Sequence, residues 1–398
     1  MHFPRFVVLV SILVLLGPPP LALSTQPGSD ANPPGIRQVV FSKDSRWLAA
    51  AAGEPKDRGE LTVWDVNSRR RLFVHRETRG IPTAAFSPDN KLLAMGTFSE
   101  NARLLDPATG KVLATLTGHG EAARGVCFSP DGKTLAIGCY DGSIRFWDPA
   151  RRAQMHTVKG HSNWVYCVSF SPDGKWLASS SADNTVRLWD AKTRESRALY
   201  KDYHSLVRTV AFSPDNAWLV APCWDGSVKV REVPSGNVLA DFRGGGADGV
   251  AVSPAAKLLA VSGFARGIQL FELSLQPPGP EIHKRIQALI ARLDEESYAA
   301  REEATKELAE IGMVAEPALR KAMKESSSVE VRIRARRLRK SLRSPPPLAT
   351  LRGHLDEVET VAFSGDGKLL ASGGKDGVVK LWDVHTRKEL ATLTNGEK

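Results

Sequence analysis

Nine histidines and four cysteines are the side chains here that could ligate a metal or attack a substrate. Metal binding needs close pairs of the Cys-x2–4-Cys or His-x3–5-His kind, and a nucleophile needs a base within reach. The single pair with such spacing, His156-x4-His161, has no second pair to complete a site, and HExxH, GxSxG and Walker A signatures are absent. Gly244-Gly245-Gly246 stands ahead of no phosphate-binding helix. Cys127, Cys139, Cys167 and Cys223 each lie in an apolar run, where a free thiol packs as a small hydrophobe. Four histidines instead keep a register: His119, His161 and His354 each follow a glycine, and His204 stands at the matching place. No catalytic residue, metal ligand or cofactor is therefore assigned. What is left with chemical capacity is charge and ring surface, and the chemistry of arginine, tyrosine and tryptophan in that setting is recognition.

The histidine register belongs to a repeat. FSPDG or a relative begins at Phe41, Phe86, Phe128, Phe170, Phe212, Val252 and Phe363, with spacings of 45, 42, 42, 42, 40 and 111 residues. Five intervals near one period, and a sixth longer by about 70 residues, describe seven units of which one carries an insertion. Within a unit, an apolar run such as Gly125–Phe128 precedes Ser129-Pro130-Asp131-Gly132, where proline presets φ and glycine accepts a positive one. A second run follows, then Asp141-Gly142, then a third strand ending in Trp147-Asp148, then a fourth leading to the next Gly-His. Trp64-Asp65, Trp189-Asp190 and Trp382-Asp383 close other units in the same way.

In these motifs the sequence resembles WD40-repeat proteins, over about 300 residues, of a bacterial and exported type. The resemblance implies an all-β ring of seven four-stranded blades with a small α-helical insertion domain. It also implies buried tetrads of histidine, serine, aspartate and tryptophan. Those carry over to His161, Asp183 and Trp189 with one of Ser179 to Ser181, and to His354, Ser372, Asp376 and Trp382. The third blade keeps His119, Asp141 and Trp147 without the serine. In the fifth, beside His204 and Asp225, Arg231 stands where tryptophan is expected, and Leu105 and Phe271 replace it in blades two and six. The last strand of the chain, Lys388 to Leu393, predicts that blades one and seven meet without sharing a strand.

The insertion falls in blade six, between its third and fourth strands, over residues 277–346. Ile282, Ile286, Leu289, Ile290 and Leu293 follow the spacing of one helical face. Ser297 caps a second helix bearing Tyr298, Ala304, Leu308 and Ile311 and ending at Gly312; Pro317 opens a third. Val331, Ala335, Leu338 and Leu342 line a fourth, so the module resembles two HEAT-like hairpins. Strand alternation places it on the face opposite the histidines, and its excision is expected to leave the propeller folded. The fourth helix carries Arg332, Arg334, Arg336, Arg337, Arg339, Lys340 and Arg343 with no acid among them. It reads as a stripe for an acidic protein, a membrane surface or a polyanion, or as a solvated face balanced by Asp294, Glu295, Glu296, Glu302 and Glu303.

The residue four before each turn anchor points toward the axis near the Gly-His face. Round the ring these are Arg37, Pro82, Arg124, Tyr166, Arg208, Asp248 and Glu359, with Tyr140, Trp164, Trp224, Phe264 and Lys375 at adjacent loop edges. Such rims recognise peptides and proteins in the family. The expected function is a non-enzymatic interaction scaffold binding proteins or peptides, acidic among them, at Arg37, Arg124, Tyr140, Trp164, Tyr166, Arg208 and Trp224 and, separately, at Arg336 and Arg337. The alternative is an enzyme or small-ligand sensor with its site in the channel.

With 42% hydrophobic and 25% charged residues, the 398-residue chain is neither disordered nor collagenous, and four cysteines make no disulfide scaffold. Its +10 net charge sits largely on the basic helix, and no nucleic-acid partner is expected. Phe6 to Leu16 is shorter than the ~20 residues of a membrane span, and Arg5 before it and Ala22-Leu23-Ser24 after it make residues 1–24 a secretory signal. An uncleaved membrane anchor is the alternative. Residues 25–35 then form a linker, blades one to six run over 36–276, and 347–398 complete blade six and form blade seven of an exported monomer.

Overall fold

The structure is a computed structural model that describes residues 33–119, 122–243, 247–255, 257–263, 267–273, 280–342 and 347–394. The expected signal segment, Phe264, the Gly244–Gly246 run and Arg343 lie outside these residues, as does most of the expected linker.

Each repeat forms one antiparallel sheet of four strands in sequence order, and there are seven such sheets. The FSPDG turns repeat one construction. In blade four, Ser171 Oγ donates to Asp173 (2.6 Å) and accepts from the Trp176 amide (2.9 Å), while Gly174 takes φ 73°. Ser42, Ser87, Ser129 and Ser364 make the same short bond to Asp44, Asp89, Asp131 and Asp366. Among the described residues, the left-handed turn position is held by glycine, asparagine or serine, as at Gly132, Asn90 and Ser45.

The core is distributed. Seven apolar clusters lie between neighbouring blades, each built chiefly from the first two strands of one and the second and later strands of the blade before it. Blade one closes on blade seven in this way, through Ile36, Val39, Ala371, Val379 and Leu381. Blade seven takes all four strands, Val358–Phe363 to Glu389–Leu393, from its own repeat, so among the described residues no strand is shared across the closure.

Both complete tetrads form. His161 Nδ1 donates to Asp183 (2.9 Å), Nε2 accepts from Ser179 Oγ (2.7 Å), and Trp189 Nε1 donates to that same Oγ (2.8 Å). His354, Asp376, Ser372 and Trp382 repeat the pattern at 2.9, 2.8 and 2.8 Å. The serine left open in blade four is thus Ser179. In blade three its place is taken by Ile137, paired with Val126 as Ser179 is with Val168. His119, fully buried, then stacks on Trp147 at 5.6 Å, and neither its ring nitrogens nor Trp147 Nε1 meets a side-chain hydrogen-bond partner among the described residues.

The insertion is helical: α1 (Pro280–Arg292), α2 (Tyr298–Ile311), α3 (Glu316–Glu325) and α4 (Val329–Ser341). Ser297 and Ser328 cap α2 and α4 by accepting from the Ala300 and Val331 amides, Gly312 ends α2 at φ 71°, and Pro317 opens α3. Ile286, Leu289, Leu293, Ala304, Leu308, Leu319, Val331, Ala335 and Leu338 form its own core. Two expected inner residues are outside it: Ile282 is 44% and Tyr298 66% exposed. Both occupy first turns, where the helix has not yet reached its partner, and Tyr298 lies beside the Arg301 and Arg334 guanidiniums.

The placement of the module differs from the expectation. It leaves blade six on the face opposite the histidines, yet α3 packs along the outer strand of blade five, Val238–Arg243, covering an otherwise open sheet edge. From there Arg320 reaches Asp202, in the loop leading to His204 on the Gly-His side (3.1 Å). Asp202 also accepts from Lys229 and from Arg231, the arginine in tryptophan's place, which stacks on Tyr200 and Tyr203 at 4.7 and 5.4 Å. Glu316, buried in α3, then takes Arg320 (2.9 Å) and Arg339 (2.7 Å). Blade five has exchanged its tetrad for an ionic joint to the helices. His204 is correspondingly exposed, touching Asp225 only through its amide.

Candidate functional site

Seven strand starts converge on one cavity of about 150 Å³ at the axis, and Arg37, Pro82, Arg124, Tyr166, Arg208, Asp248 and Glu359 all line it, one from each blade. They meet because each first strand begins with its residue two before a buried position: Val39, Val126, Val168, Val250 and Val361 hold the strands while the residues ahead of them turn inward. Thr360 and Thr83 tie neighbouring blades at this level, accepting from the Val39 amide (3.2 Å) and the Val126 amide (3.3 Å).

The mouth has two unlike halves. From blade five round to blade one, charges compensate each other. Arg37 pairs with Glu359 (2.6 Å) and Glu54 (3.1 Å), and Arg208 pairs with Asp248 (3.2 Å) and approaches Glu359 (3.9 Å). Trp224 Nε1 donates to Asp248 (2.5 Å) while Arg208 lies over its indole at 4.7 Å. Burial tends to lower the Arg37 pKa, but the Glu359 and Glu54 charges outweigh it and raise it. Burial, with Glu359 and Glu357 beside it, raises the Asp248 pKa against the pull of Arg208. Lys375 holds Glu357 at 2.6 Å on the same rim.

From blade two to blade four the mouth is aromatic. Tyr140 and Trp164 stack at 4.3 Å with planes 9° apart, Tyr166 meets Trp164 edge-on at 6.3 Å, and Phe98 meets Tyr140 at 6.0 Å. Trp164 is 42% exposed, a large ring left facing solvent. Arg124 is set among these rings, its guanidinium over Phe98 at 5.2 Å and over Tyr166 at 5.0 Å. Burial, with Arg37 and Arg208 nearby, brings the Arg124 pKa down to about 10. The six rim residues expected in blades one and three to five, with Trp224, are thus brought to one opening. Phe98 belongs with them and was missed, because it sits in a loop that has lost the Asp-Gly signature.

Arg336 and Arg337 are elsewhere, exposed on the outer face of α4, where no ion pair holds them among the described residues. The other arginines of this helix are occupied. Arg332 donates to the Ser326 carbonyl (2.6 Å), Arg334 to Glu302 (2.6 Å) and Glu330 (2.5 Å), and Arg339 to Glu316. The side chain of Lys340 is outside the described set. Part of the basic stripe is therefore balanced by neighbours, and part is free, flanked by Val329 and Ile333, 60% and 58% exposed.

Residues 110–148, 152–190, 197–231 and 345–383 match the family described as WD domain, G-beta repeat. These segments end in the third strands of blades three, four, five and seven, the ones retaining most of the repeat's signature. Among curated proteins, the small ribosomal subunit protein RACK1z of Arabidopsis thaliana is 60% identical over 45 residues, 11% of this chain and 14% of that protein. RACK1 of Medicago sativa is 57% identical over 47 residues, 12% of this chain and 14% of its own. The cross-pathway control WD-repeat protein 2 of Flammulina velutipes is 49% identical over 45, again 11% and 14%. The chain thus spans about one seventh of the length of these relatives, roughly one blade, and they come from plants and a fungus rather than from bacteria.

Proposed function

From a seven-bladed propeller carrying WD40 repeats, we infer a non-enzymatic protein-interaction scaffold that docks partners at the channel mouth and, independently, on the outer face of α4. The mouth supports this reading most: seven blades each contribute one residue to a single opening whose composition, three arginines among exposed and stacked rings, is that of an interface centre. A catalytic or small-ligand site is less favoured. Its cavity of about 150 Å³ falls short of the roughly 300–1,000 Å³ of such sites, and its acids are already tied to arginines. The proposed partner is acidic in part, since Arg124, Arg336 and Arg337 make no ion pair among the described residues. We further propose that the chain acts outside the cytosol as a bacterial, exported protein after removal of residues 1–24, which rests on the composition of that segment.

The two surfaces are tested together by crosslinking partners to the whole chain and to two variants. Arg124, Tyr166 and Arg208 changed together to alanine should lose the mouth-bound set by at least tenfold. Arg336→Glu with Arg337→Glu should leave that set intact and lose a second one whose capture weakens with salt. Identical partner sets from all three proteins would refute the scaffold reading of both faces.

A further inference from the structure

We propose that the channel mouth recognises a side-chain carboxylate of a protein segment, with Arg124 as the residue that binds it and the Tyr140–Trp164 stack as the seat for an adjacent apolar residue. This rests on the mouth being a docking surface and names what it selects.

The inference follows from which cations are already satisfied. Of the three arginines at the opening, Arg37 has Glu359 and Glu54, and Arg208 has Asp248. Arg124 has no hydrogen bond or ion pair to any described residue, although it is half-buried and lies on the same cavity. Leaving a guanidinium partly desolvated and unpaired costs stability, and the two neighbouring arginines add to the cost. What it receives instead is ring contact: its guanidinium carbon lies 5.2 Å from the Phe98 ring and 5.0 Å from the Tyr166 ring, contacts that position the cation without occupying its five donors. A planar, multi-donor cation on the wall of a cavity of about 150 Å³, with no acid paired to it among the described residues, matches the two oxygens of a carboxylate. The cavity accepts one acidic side chain, not a folded domain or a nucleotide. Glu359 and Asp248 stand across the opening but are claimed by Arg37 and Arg208, so they leave the field on the Arg124 side positive. Next to it Trp164 is 42% exposed and backed by Tyr140, a flat apolar seat for the residue beside the acid.

The test selects random dodecapeptides, displayed as N-terminal fusions, on the immobilised whole chain. Enriched sequences are resynthesised with blocked ends and measured by fluorescence anisotropy. Expected are peptides with Glu or Asp next to an aromatic or aliphatic residue. Changing that acid to its amide should weaken binding at least tenfold, Arg124→Leu should do the same, and the two changes together should cost no more than either alone. Arg124→Lys should recover part of the affinity. Trp164→Ala should weaken acid and amide peptides alike. Equal binding of acid and amide peptides, with loss on Trp164→Ala, would overturn the carboxylate role and leave mouth docking standing. Enriched peptides indifferent to both Arg124 and Trp164 would overturn both. Finally, Arg124→Leu should leave the melting temperature unchanged or raised, and a clear fall would show the guanidinium already satisfied within the fold.

Discussion

Acidifying the protein from pH 6.5 to pH 4 is expected to cost it about 3 kcal/mol through His119 alone. The imidazole is fully buried, and burial, with the Arg145 charge beside it, brings its pKa from 6.5 down to about 4. Asp141 pulls the other way but is itself engaged by Arg145 (2.9 Å). A histidine held below its ordinary value is folded in the neutral form. Its contribution is therefore complete above the unfolded pKa near 6.5 and lost as pH falls toward 4. In this blade Ile137 takes the place that Ser179 fills in blade four and Asp141 pairs with Arg145, so burial and the Arg145 charge are opposed only by the Asp141 charge and a backbone contact at Glu100. His119→Phe keeps the stack on Trp147 and removes the titration. Urea unfolding at pH 7 and pH 4.5 should show the variant equal to or more stable than the parent at the higher pH, and clearly more stable at the lower. If both proteins lose the same stability between the two values, His119 does not carry this dependence.

Replacing Asp202 by alanine should destabilise the chain by about 2–3 kcal/mol and loosen the helices from the propeller. Its carboxylate, 34% exposed, is shared by Lys229 and Arg231, 6% and 5% exposed, and by Arg320 of α3. Breaking a fully enclosed pair costs about 3–5 kcal/mol, and the partial exposure of Asp202 reduces that figure. Burial pushes this carboxyl up, but Arg231 and Lys229 outweigh it and hold its pKa at about 2. A depressed carboxylate stabilises above its unfolded pKa, so this joint is whole above about pH 4 and is lost as pH falls toward 2. Hydrogen exchange locates the effect. In Asp202→Ala, amides of α3 and of the Val238–Arg243 strand should exchange faster, whereas Arg320→Met, which leaves Lys229 and Arg231 paired, should free α3 with a smaller global loss. Unchanged exchange in α3 for both variants would show that the module is held by other contacts.

Much of the ring could be read from the residues because its period, turns and inward positions are local properties. Ser171, Asp173 and Gly174 specify their turn within four residues, and the residue four before each anchor reaches the axis by strand geometry alone. The helices of the insertion were legible for the same reason, through Ser297, Gly312 and Pro317. What the sequence concealed was long-range. Nothing near Arg320 points to Asp202, 118 positions away, and strand alternation fixes only where the insertion leaves the propeller, not the surface it folds back upon. The available cue was Arg231. A charged residue in a buried aromatic position needs an acid, and Asp202 between Tyr200 and Tyr203 was the acid at hand. Likewise Arg37, Arg124 and Arg208 look alike in the sequence, and only the structure separates the two that are paired from the one that is not.

The ionic joint also sets the unit in which this architecture can be taken apart. A helical insertion tied only to the loop that carries it would be a cassette, removable or portable with blade six. Here half of its mooring belongs to blade five, so excising residues 280–342 strands Asp202, Lys229 and Arg231 without Arg320 and bares the edge of the Val238–Arg243 strand. A builder who wished to transplant the helices to another propeller would have to carry two blades with them, or restore tryptophan at position 231 and design the docking face anew.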